Sequence, residues 1–216
     1  MTRHEFLAKL HELLRPSTYL EVGVQSGHSL ALAVYSNVAI GIDPNPLVTA
    51  SGNQVIFNET SDHYFNNFPG LRPGQIDFAF IDGSHLFEDA LRDFANIEQY
   101  CHPGSVVVFD DILPYNQTIA GRDIIAGDWT GDVWKVTQIL MARRPDLYVM
   151  EVDTSPTGTL LVYGLNESSR FSATELDAVI KAYLPLVEVP QGALDRSYAV
   201  SPEKAIEELM AWRASQ

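Results

Sequence analysis

The chain has 216 residues, 46% hydrophobic and 19% charged, which is the composition of a globular protein long enough to bury a core. Its 28 acidic and 14 basic residues give a formal net charge of −14, which repels phosphate polymers and anionic membranes. We therefore expect no nucleic acid and no membrane as the main partner. The single cysteine excludes an intrachain disulfide, and the first residues lack an apolar run of signal-peptide length, so a cytoplasmic location is expected.

The predicted elements alternate between helices and strands. The chain opens with apolar side chains at helical spacing over residues 6–14, and Pro16-Ser17 ends this helix. Apolar runs typical of buried strands lie at residues 19–24, 38–43, 54–58, 76–81, 105–109, 147–152 and 159–163. Further helices are predicted at residues 29–35, 86–99, 133–143, 173–183 and 202–212. Turns are expected at Pro103-Gly104 and at residues 155–158.

This pattern predicts an α/β fold. Strands that are continuously apolar, and that alternate with helices, are typical of a mostly parallel sheet covered on both faces. The final hairpin adds one antiparallel strand near the edge of a doubly wound, Rossmann-like, seven-stranded sheet. We predict a single domain with an N-terminal helix (1–16), a cofactor-binding core (17–165) and a C-terminal helical extension (166–216). Ligands should bind beyond the carboxyl ends of the strands.

The turn after the first strand carries Glu21, Gly23, Gly27 and Ser29 in the order E-x-G-x-x-x-G-x-S. This spacing departs from the dinucleotide fingerprint, because it lacks the glycine that lets the backbone approach a pyrophosphate. The turn therefore suits a ligand without a pyrophosphate, such as the methionine arm of S-adenosylmethionine. Backbone N–H groups near Gly27 could bind the carboxylate of that arm. A plain tight turn between a strand and a helix is the alternative.

A carboxylate, Asp43, ends the second strand 20 residues after Gly23. At this position a carboxylate can accept two hydrogen bonds from a ribose diol. The alternative is a turn residue in Asp43-Pro44-Asn45-Pro46. Together with the preceding loop, Asp43 indicates a cofactor that contains adenosine.

Three aspartates follow the fourth and fifth strands: Asp82 in Ile-Asp-Gly-Ser-His, and the pair Asp110-Asp111. Since these strands should be neighbours, the three carboxylates are expected to converge. Three such groups cannot all be ionised in one place without a cation or proton uptake. Carboxylate oxygens are the ligands that hard divalent ions prefer, and Mg²⁺ is the ion that we expect here. The alternative is that Asp110 or Asp111 only caps backbone at a strand end.

These motifs resemble those of class I S-adenosylmethionine-dependent methyltransferases over about residues 17 to 165. More narrowly, they are similar to the metal-dependent O-methyltransferases of the catechol and caffeoyl-coenzyme A type and to related antibiotic and sugar O-methyltransferases. The resemblance implies that Mg²⁺ is held by Asp82, Asp110 and Asp111. It also implies that the methyl donor contacts Glu21, Gly23, Gly27, Ser29, Asp43, Ser61 and Asp82, with Asp43 on the ribose, Ser29 beside the methionine arm and Ser61 by the adenine.

His85 stands where the catechol-type enzymes have a basic lysine, three residues after the first metal aspartate. A histidine with an ordinary pKa near 6.5 can accept a proton at neutral pH, so His85 is predicted to be the catalytic base. The alternative is a solvated residue in the first turn of the following helix.

Residues 112–135 form a long connection, which is typical of a functional loop. Its aromatic and polar residues predict a lid over a hydroxylated substrate, with contacts from Tyr115, Trp129, Trp134 and Lys135. Vicinal hydroxyls and a polar lid favour a sugar or a glycosylated natural product. For Trp134, packing of the next helix is the alternative.

Two other functions remain open at this point. An NAD(P)-dependent oxidoreductase could use a similar sheet. Such an enzyme, however, would need the missing glycine and would have no use for the Asp110-Asp111 pair. A cofactor-binding protein without catalysis is the second. A homo-oligomer, most simply a dimer, is expected, with the terminal helices packing on their own subunit or on a neighbour.

Overall fold

The computed structural model describes residues 1–67 and 70–216. Its strands are β1 (Thr18–Val22), β2 (Val38–Ile42), β3 (Gln54–Phe57), β4 (Ile76–Ile81), β5 (Cys101–Phe109), β6 (Tyr148–Val152) and β7 (Thr159–Tyr163). They form one sheet in the order β3-β2-β1-β4-β5-β7-β6. The first five strands are parallel, and β7 runs antiparallel between β5 and β6. The predicted seven-stranded, doubly wound sheet with one antiparallel strand near its edge is confirmed.

Helices cover both faces of this sheet. They are α1 (Arg3–Leu14), α2 (Ser61–Asn67), α3 (Phe87–Glu98), α4 (Lys135–Arg143), α5 (Ala173–Tyr183), α6 (Gln191–Leu194) and α7 (Pro202–Ala214). Apolar side chains of α1 and α7 share one buried cluster, whereas those of α3, α4 and α5 belong to the cluster on the other face. The terminal helices therefore pack on their own sheet. Among residues 1–67 and 70–216, no helix is both long and apolar enough to cross a bilayer.

The sheet register brings the strand ends into one row. Val22 at the end of β1 pairs with Ile42 of β2 on one side and with Ile81 of β4 on the other, and Ile81 pairs with Phe109 of β5. The residues that follow these four strands therefore emerge side by side. They are Gly23, Asp43, Asp82 and Asp110.

Three local expectations differ from the structure. The helix predicted over 29–35 is only a 3₁₀ turn at Leu30–Leu32, because Val34 and Tyr35 are exposed and provide no apolar face to bury. The turn predicted at Pro103-Gly104 lies within β5, where the pairing with β4 shifts register. The short helices α2 and α6 were not predicted, since neither contains enough apolar periodicity to recognise.

Candidate functional site

Two cavities open at the carboxyl ends of the strands. The larger, about 460 Å³, we call the loop cavity; its lining includes Arg3, Ser29, Asp82, His85, Asp111 and Trp129. The smaller, about 360 Å³, we call the α3 cavity; its lining includes Ile42, Ser61, Asp62, Asp89 and Asp93. Gly23, Asp43 and Gly83 line both cavities. A ligand bound at Asp43 can therefore extend one end into each.

The boundary between the cavities depends on Gly23. This residue has a positive φ of 88°, and a Cβ atom added to it would lie 1.8 Å from the carbonyl oxygen of Asp82. Only glycine lets the loops after β1 and β4 approach so closely. The predicted importance of Gly23 thus has a steric reason, and the residue lines both cavities.

Glu21 supports the loop from below and does not line either cavity. It is fully buried, and its two carboxylate oxygens accept hydrogen bonds from the hydroxyls of Ser29 and Tyr19, each at 2.7 Å. Burial raises the pKa of Glu21 to about 8, although both hydrogen bonds oppose the change. The sequence predicted direct cofactor contact for Glu21. In the structure, Glu21 instead holds Ser29 in place by accepting a hydrogen bond from its hydroxyl, and Ser29 lines the loop cavity.

Asp43 braces the same loop. Its Oδ2 accepts hydrogen bonds from the backbone N–H groups of Val24 and Gln25 at 2.9 and 2.8 Å, and its Oδ1 accepts one from Asn45 at 2.7 Å. The turn function and the predicted ribose contact are compatible, because each carboxylate oxygen can accept a second hydrogen bond. The position of Asp43 between the two cavities is where a ribose would join a base to a longer arm.

A group of three potential metal ligands lies in the loop cavity. One ligand atom each from Asp82, His85 and Asp111 lies within 4.8 Å of the others. His85 and Asp111 both have positive φ values, 59° and 62°, which is uncommon for residues other than glycine. Such backbone strain is found at functional sites, where the surrounding structure holds side chains in fixed directions.

Asp110 does not belong to this group. The three aspartates were predicted to converge on one ion, but Asp110 is almost fully buried and pairs with the guanidinium of Arg3. The same guanidinium nitrogen lies 3.8 Å from Asp82. His85 takes the place that Asp110 was expected to hold, because the chain turns at Asp111 and directs that carboxylate towards the imidazole, 3.2 Å away.

The titration of these groups reflects their crowding. Burial, followed by the charges of Asp82 and Asp111, raises the pKa of Asp110 well above its usual value. Burial and the charge of Asp82 raise the pKa of Asp111 to about 6. For His85, burial lowers the pKa, but the interactions with Asp82 and Asp111 outweigh it and raise the pKa to about 9. In the ligand-free protein His85 therefore carries a proton at neutral pH, which works against its predicted role as base.

The donor set fits a divalent cation. Two carboxylates and one imidazole nitrogen are ligands used by Mn²⁺ and similar ions, and carboxylates with water suit Mg²⁺. Oδ2 of Asp111 is buried and accepts no hydrogen bond from the residues that the structure describes, and its charged neighbour is the imidazole of His85 at 3.2 Å. Buried acceptors without a hydrogen bond are rare, and an ion is one way to satisfy this oxygen.

The residues predicted for the lid separate into two groups. Trp129 lines the loop cavity, stacks on His85 at 5.2 Å between ring centroids, and accepts the His85 Nδ1–H on its carbonyl oxygen at 2.7 Å. Trp134 and Lys135 are buried instead, with the ammonium of Lys135 bound to Asp132 at 2.8 Å. Tyr115 is half exposed and lines neither cavity. These three are corrected to structural or surface positions, because the loop turns inward before α4.

Sequence reasoning missed several residues that line the cavities: Arg3, His4, His28, Asp128, Thr157 and Asp93. Only Arg3 carried a signal that could have been recognised. It occupies the first turn of α1, where the helix dipole disfavours a cation, so a partner elsewhere was to be expected. The others lie on loops or on a helix whose position depends on the tertiary fold.

Comparison with known proteins places this site in context. Residues 20–112 match the family model of a methyltransferase domain. The uncharacterized protein R132 of Acanthamoeba polyphaga mimivirus is 32% identical over 116 residues, which are 45% of this chain and 52% of the viral protein. The match thus spans about half of that relative.

Solved structures share the fold at low identity. An O-methyltransferase from Bacillus cereus in complex with SAH superposes with a TM-score of 0.57 and 14% identity, covering 74% of this chain and 79% of the other. The O-methyltransferase TomG from Streptomyces achromogenes, involved in tomaymycin synthesis and bound to SAM, gives 0.59 and 19%, covering 76% and 80%. The predicted resemblance to methyltransferases is confirmed in two respects: the fold is shared, and residues 20–112 match a methyltransferase domain.

Proposed function

We propose that this chain, which matches the model of a methyltransferase domain over residues 20–112 and has the fold of solved O-methyltransferases, is an S-adenosylmethionine-dependent O-methyltransferase. The observation that carries the proposal is the pair of cavities meeting at Asp43. Adenosine in the α3 cavity and the methionine arm in the loop cavity would bring the sulfonium methyl group close to Asp82, His85 and Asp111.

The residues around the methyl donor have separate tasks in this proposal. Asp43 accepts hydrogen bonds from the ribose hydroxyls, and Ser29, held by Glu21, lies beside the methionine arm. Arg3, His4 and His28 line the loop cavity, where the guanidinium of Arg3 supplies positive charge and the imidazoles can donate hydrogen bonds to the carboxylate of that arm. A dinucleotide is disfavoured, because its pyrophosphate would lie among the carboxylates near Asp43 and Asp82.

A divalent cation, Mg²⁺ or a similar ion, is proposed at Asp82, His85 and Asp111. When bound, such an ion would lower the pKa of an acceptor hydroxyl and hold it in place. We assign His85 to the ligands of this ion, because its imidazole lies in the same group of ligand atoms as the two carboxylates. Trp129 holds the imidazole from the other side and limits the entry of water.

The acceptor is proposed to be a small hydroxylated molecule, with a sugar or a glycosylated natural product preferred. The support is the mixed lining of the loop cavity, where the indole of Trp129 lies beside acidic and basic groups. Flat aromatic faces and charged hydrogen-bonding groups together suit a polyol ring. Holding two reactants in line supplies much of the acceleration in such transfers.

The proposal is tested by calorimetry and by methyl transfer. S-adenosylhomocysteine should bind and NAD(H) should not, and labelled methyl groups should pass from the donor to a hydroxylated acceptor in a screen. A chelator should abolish transfer, and Mg²⁺ or Mn²⁺ should restore it. Binding of NAD(H) with no binding of S-adenosylhomocysteine would contradict the proposed function; transfer that is indifferent to chelator would contradict only the cation.

A further inference from the structure

The wall of the α3 cavity contains a buried carboxyl group with an unused hydrogen-bond acceptor. Asp93 of α3 is 3% exposed and lines the cavity, and its Oδ1 accepts no hydrogen bond from the residues that the structure describes. Its Oδ2 lies 3.6 Å from where a Cβ of Gly83 would be, so the carboxyl group lies against the loop after β4. A buried acceptor without a partner costs free energy unless a ligand supplies a donor.

The other carboxylates of the α3 cavity already have partners or water. Asp89 accepts hydrogen bonds from the hydroxyl of Ser84 at 2.7 Å and from Arg92 at 3.1 Å. Asp43 is bonded to three backbone N–H groups. Asp62 is exposed in the first turn of α2. Of these four carboxyl groups, Asp93 is therefore the one whose acceptor oxygen most needs a hydrogen bond from a ligand.

The chemistry of the cavity indicates which donor this would be. Its charged lining residues are all acidic among those described, and the side chains of Val22, Ile42 and Pro44 add apolar walls. A flat apolar ring with an N–H donor at its edge fits this combination, whereas an anionic group does not. Burial raises the pKa of Asp93 to about 7, with the charges of Asp89 and Asp62 adding to this and Ser61 and Arg92 opposing it. A donor from the ligand would favour the ionised form.

We propose that Asp93 recognises the exocyclic amino group of the adenine ring of the methyl donor, accepting a hydrogen bond from it. The inference rests on the proposed function, since it places adenosine in the α3 cavity. Asp43 at the junction of the cavities fixes the ribose, and the base then extends towards α3. Asp93 thereby selects adenine over purines that lack the amino group.

The test is a thermodynamic cycle in which the amino group of the ligand and the carboxyl group of Asp93 are removed separately and together. Calorimetry compares S-adenosylhomocysteine with its 6-deamino analogue, in which hydrogen replaces the amino group, on the wild-type protein and on Asp93→Leu. The wild type should bind the analogue at least about tenfold more weakly, and Asp93→Leu should bind both ligands nearly equally. Asp93→Asn retains an acceptor oxygen and should retain the preference. Asp89→Asn, which removes a charge from the same helix and the same cavity, is the matched control and should also retain it.

The outcomes separate the inference from the function on which it rests. If the wild type binds S-adenosylhomocysteine but Asp93→Leu keeps the full preference, the inference is wrong and another group, such as Asp62, reads the amino group. If the wild type shows no preference, the inference is also wrong. If the wild type does not bind S-adenosylhomocysteine at all, the proposed function is lost as well. Should Asp93→Leu fail to fold, as judged by its thermal transition, Asp93→Ser is measured and interpreted in the same way.

Discussion

Two buried acids, one below the loop cavity and one in the wall of the α3 cavity, show how differently a fold can use the same chemical group. Glu21 below the loop cavity has both oxygens bonded to hydroxyl groups of its own chain. Asp93 beside the α3 cavity keeps one oxygen without a partner in the part of the chain that the structure describes. In both, burial raises the pKa. The difference shows that burial alone does not identify a ligand-binding acid; the state of its hydrogen bonds does.

The same contrast extends to the cavities. Arg3 and three histidines, His4, His28 and His85, line the loop cavity together with its carboxylates, whereas the α3 cavity has only acids among its described charged residues. Opposite charges in one small space can bind a zwitterionic arm and a cation. An acidic space with apolar walls suits a neutral ring with N–H donors. In the proposed function, the loop cavity would therefore hold the reacting groups and the α3 cavity would hold the adenine base.

The largest effect is expected from Glu21→Gln, which sharpens the comparison of the two acids. Because the folded-state pKa of about 8 lies above the ordinary 4.5, the stability that protonated Glu21 contributes is present below pH 4.5 and is lost as pH rises towards 8. Glutamine can satisfy both hydroxyls without titrating. The variant should therefore match the wild type near pH 5 and exceed it by roughly 4 kcal/mol at pH 8.

Denaturant unfolding of both proteins at several pH values measures this difference. The other carboxylic acids with raised pKa values, Asp93, Asp110, Asp111 and Glu151, are present in both proteins, so their contributions cancel in the comparison. A stability difference that does not change between pH 5 and pH 8 would show that Glu21 ionises normally. The same measurement on Asp93→Asn tests the second buried acid, whose Oδ1 has no hydrogen-bond partner among the described residues.

The next effect concerns the ligand group of the loop cavity. His85→Asn and Asp111→Asn keep a residue that tolerates positive φ, so the backbone should be retained. We expect each to weaken cation binding by at least 10–100-fold and to reduce methyl transfer by roughly 100-fold or more. Calorimetry with Mn²⁺ and a rate assay at saturating cation separate the two quantities.

The contrary result for His85 is informative. If His85→Asn binds the cation as well as the wild type does but transfers methyl groups 10²–10⁴-fold more slowly, His85 is the base that its position in the sequence predicts. Asp111→Asn would then lose cation affinity alone. Normal activity in both variants would remove the cation from this group of residues.

The sequence was sufficient to predict the sheet and the row of strand ends, because parallel strands place the residues that follow them along one edge. Gly23, Asp43, Asp82 and Asp111 could therefore be found from strand positions alone. The pattern could not show the direction of each side chain. Asp110 and Asp111 are adjacent, yet one turns towards Arg3 and the other towards His85.

Contacts over long sequence distances could not be predicted either. Arg3 meets Asp110 only because α1 packs across the sheet face, and Asp93 reaches the α3 cavity only because α3 lies against the loop after β4. Trp134 and Lys135 had the residue types expected of a lid, but the turn before α4 buries them. Composition and spacing identify residues that can do chemistry, and packing decides which of them face the ligand.

The smallest effect is expected from Arg3→Gln, and it tests whether the charge balance of the loop cavity is set by the chain itself. The guanidinium pairs with Asp110 and lies 3.8 Å from Asp82, so it competes with any added cation for negative charge. At such distances, repulsion between like charges is worth about 1 kcal/mol in water and more in a partly buried site. The variant should therefore bind Mn²⁺ about tenfold more tightly, and it should be less stable than the wild type without the ion, since a buried carboxylate has lost its partner. Lys9→Gln, on the exposed side of the same helix and paired, among the described residues, with Glu12 at 3.1 Å, is the control and should change neither quantity. Weaker binding of Mn²⁺ by Arg3→Gln would mean that the arginine orients the carboxylates for the ion instead of competing with it, and the two sides of the loop cavity would then act as one site.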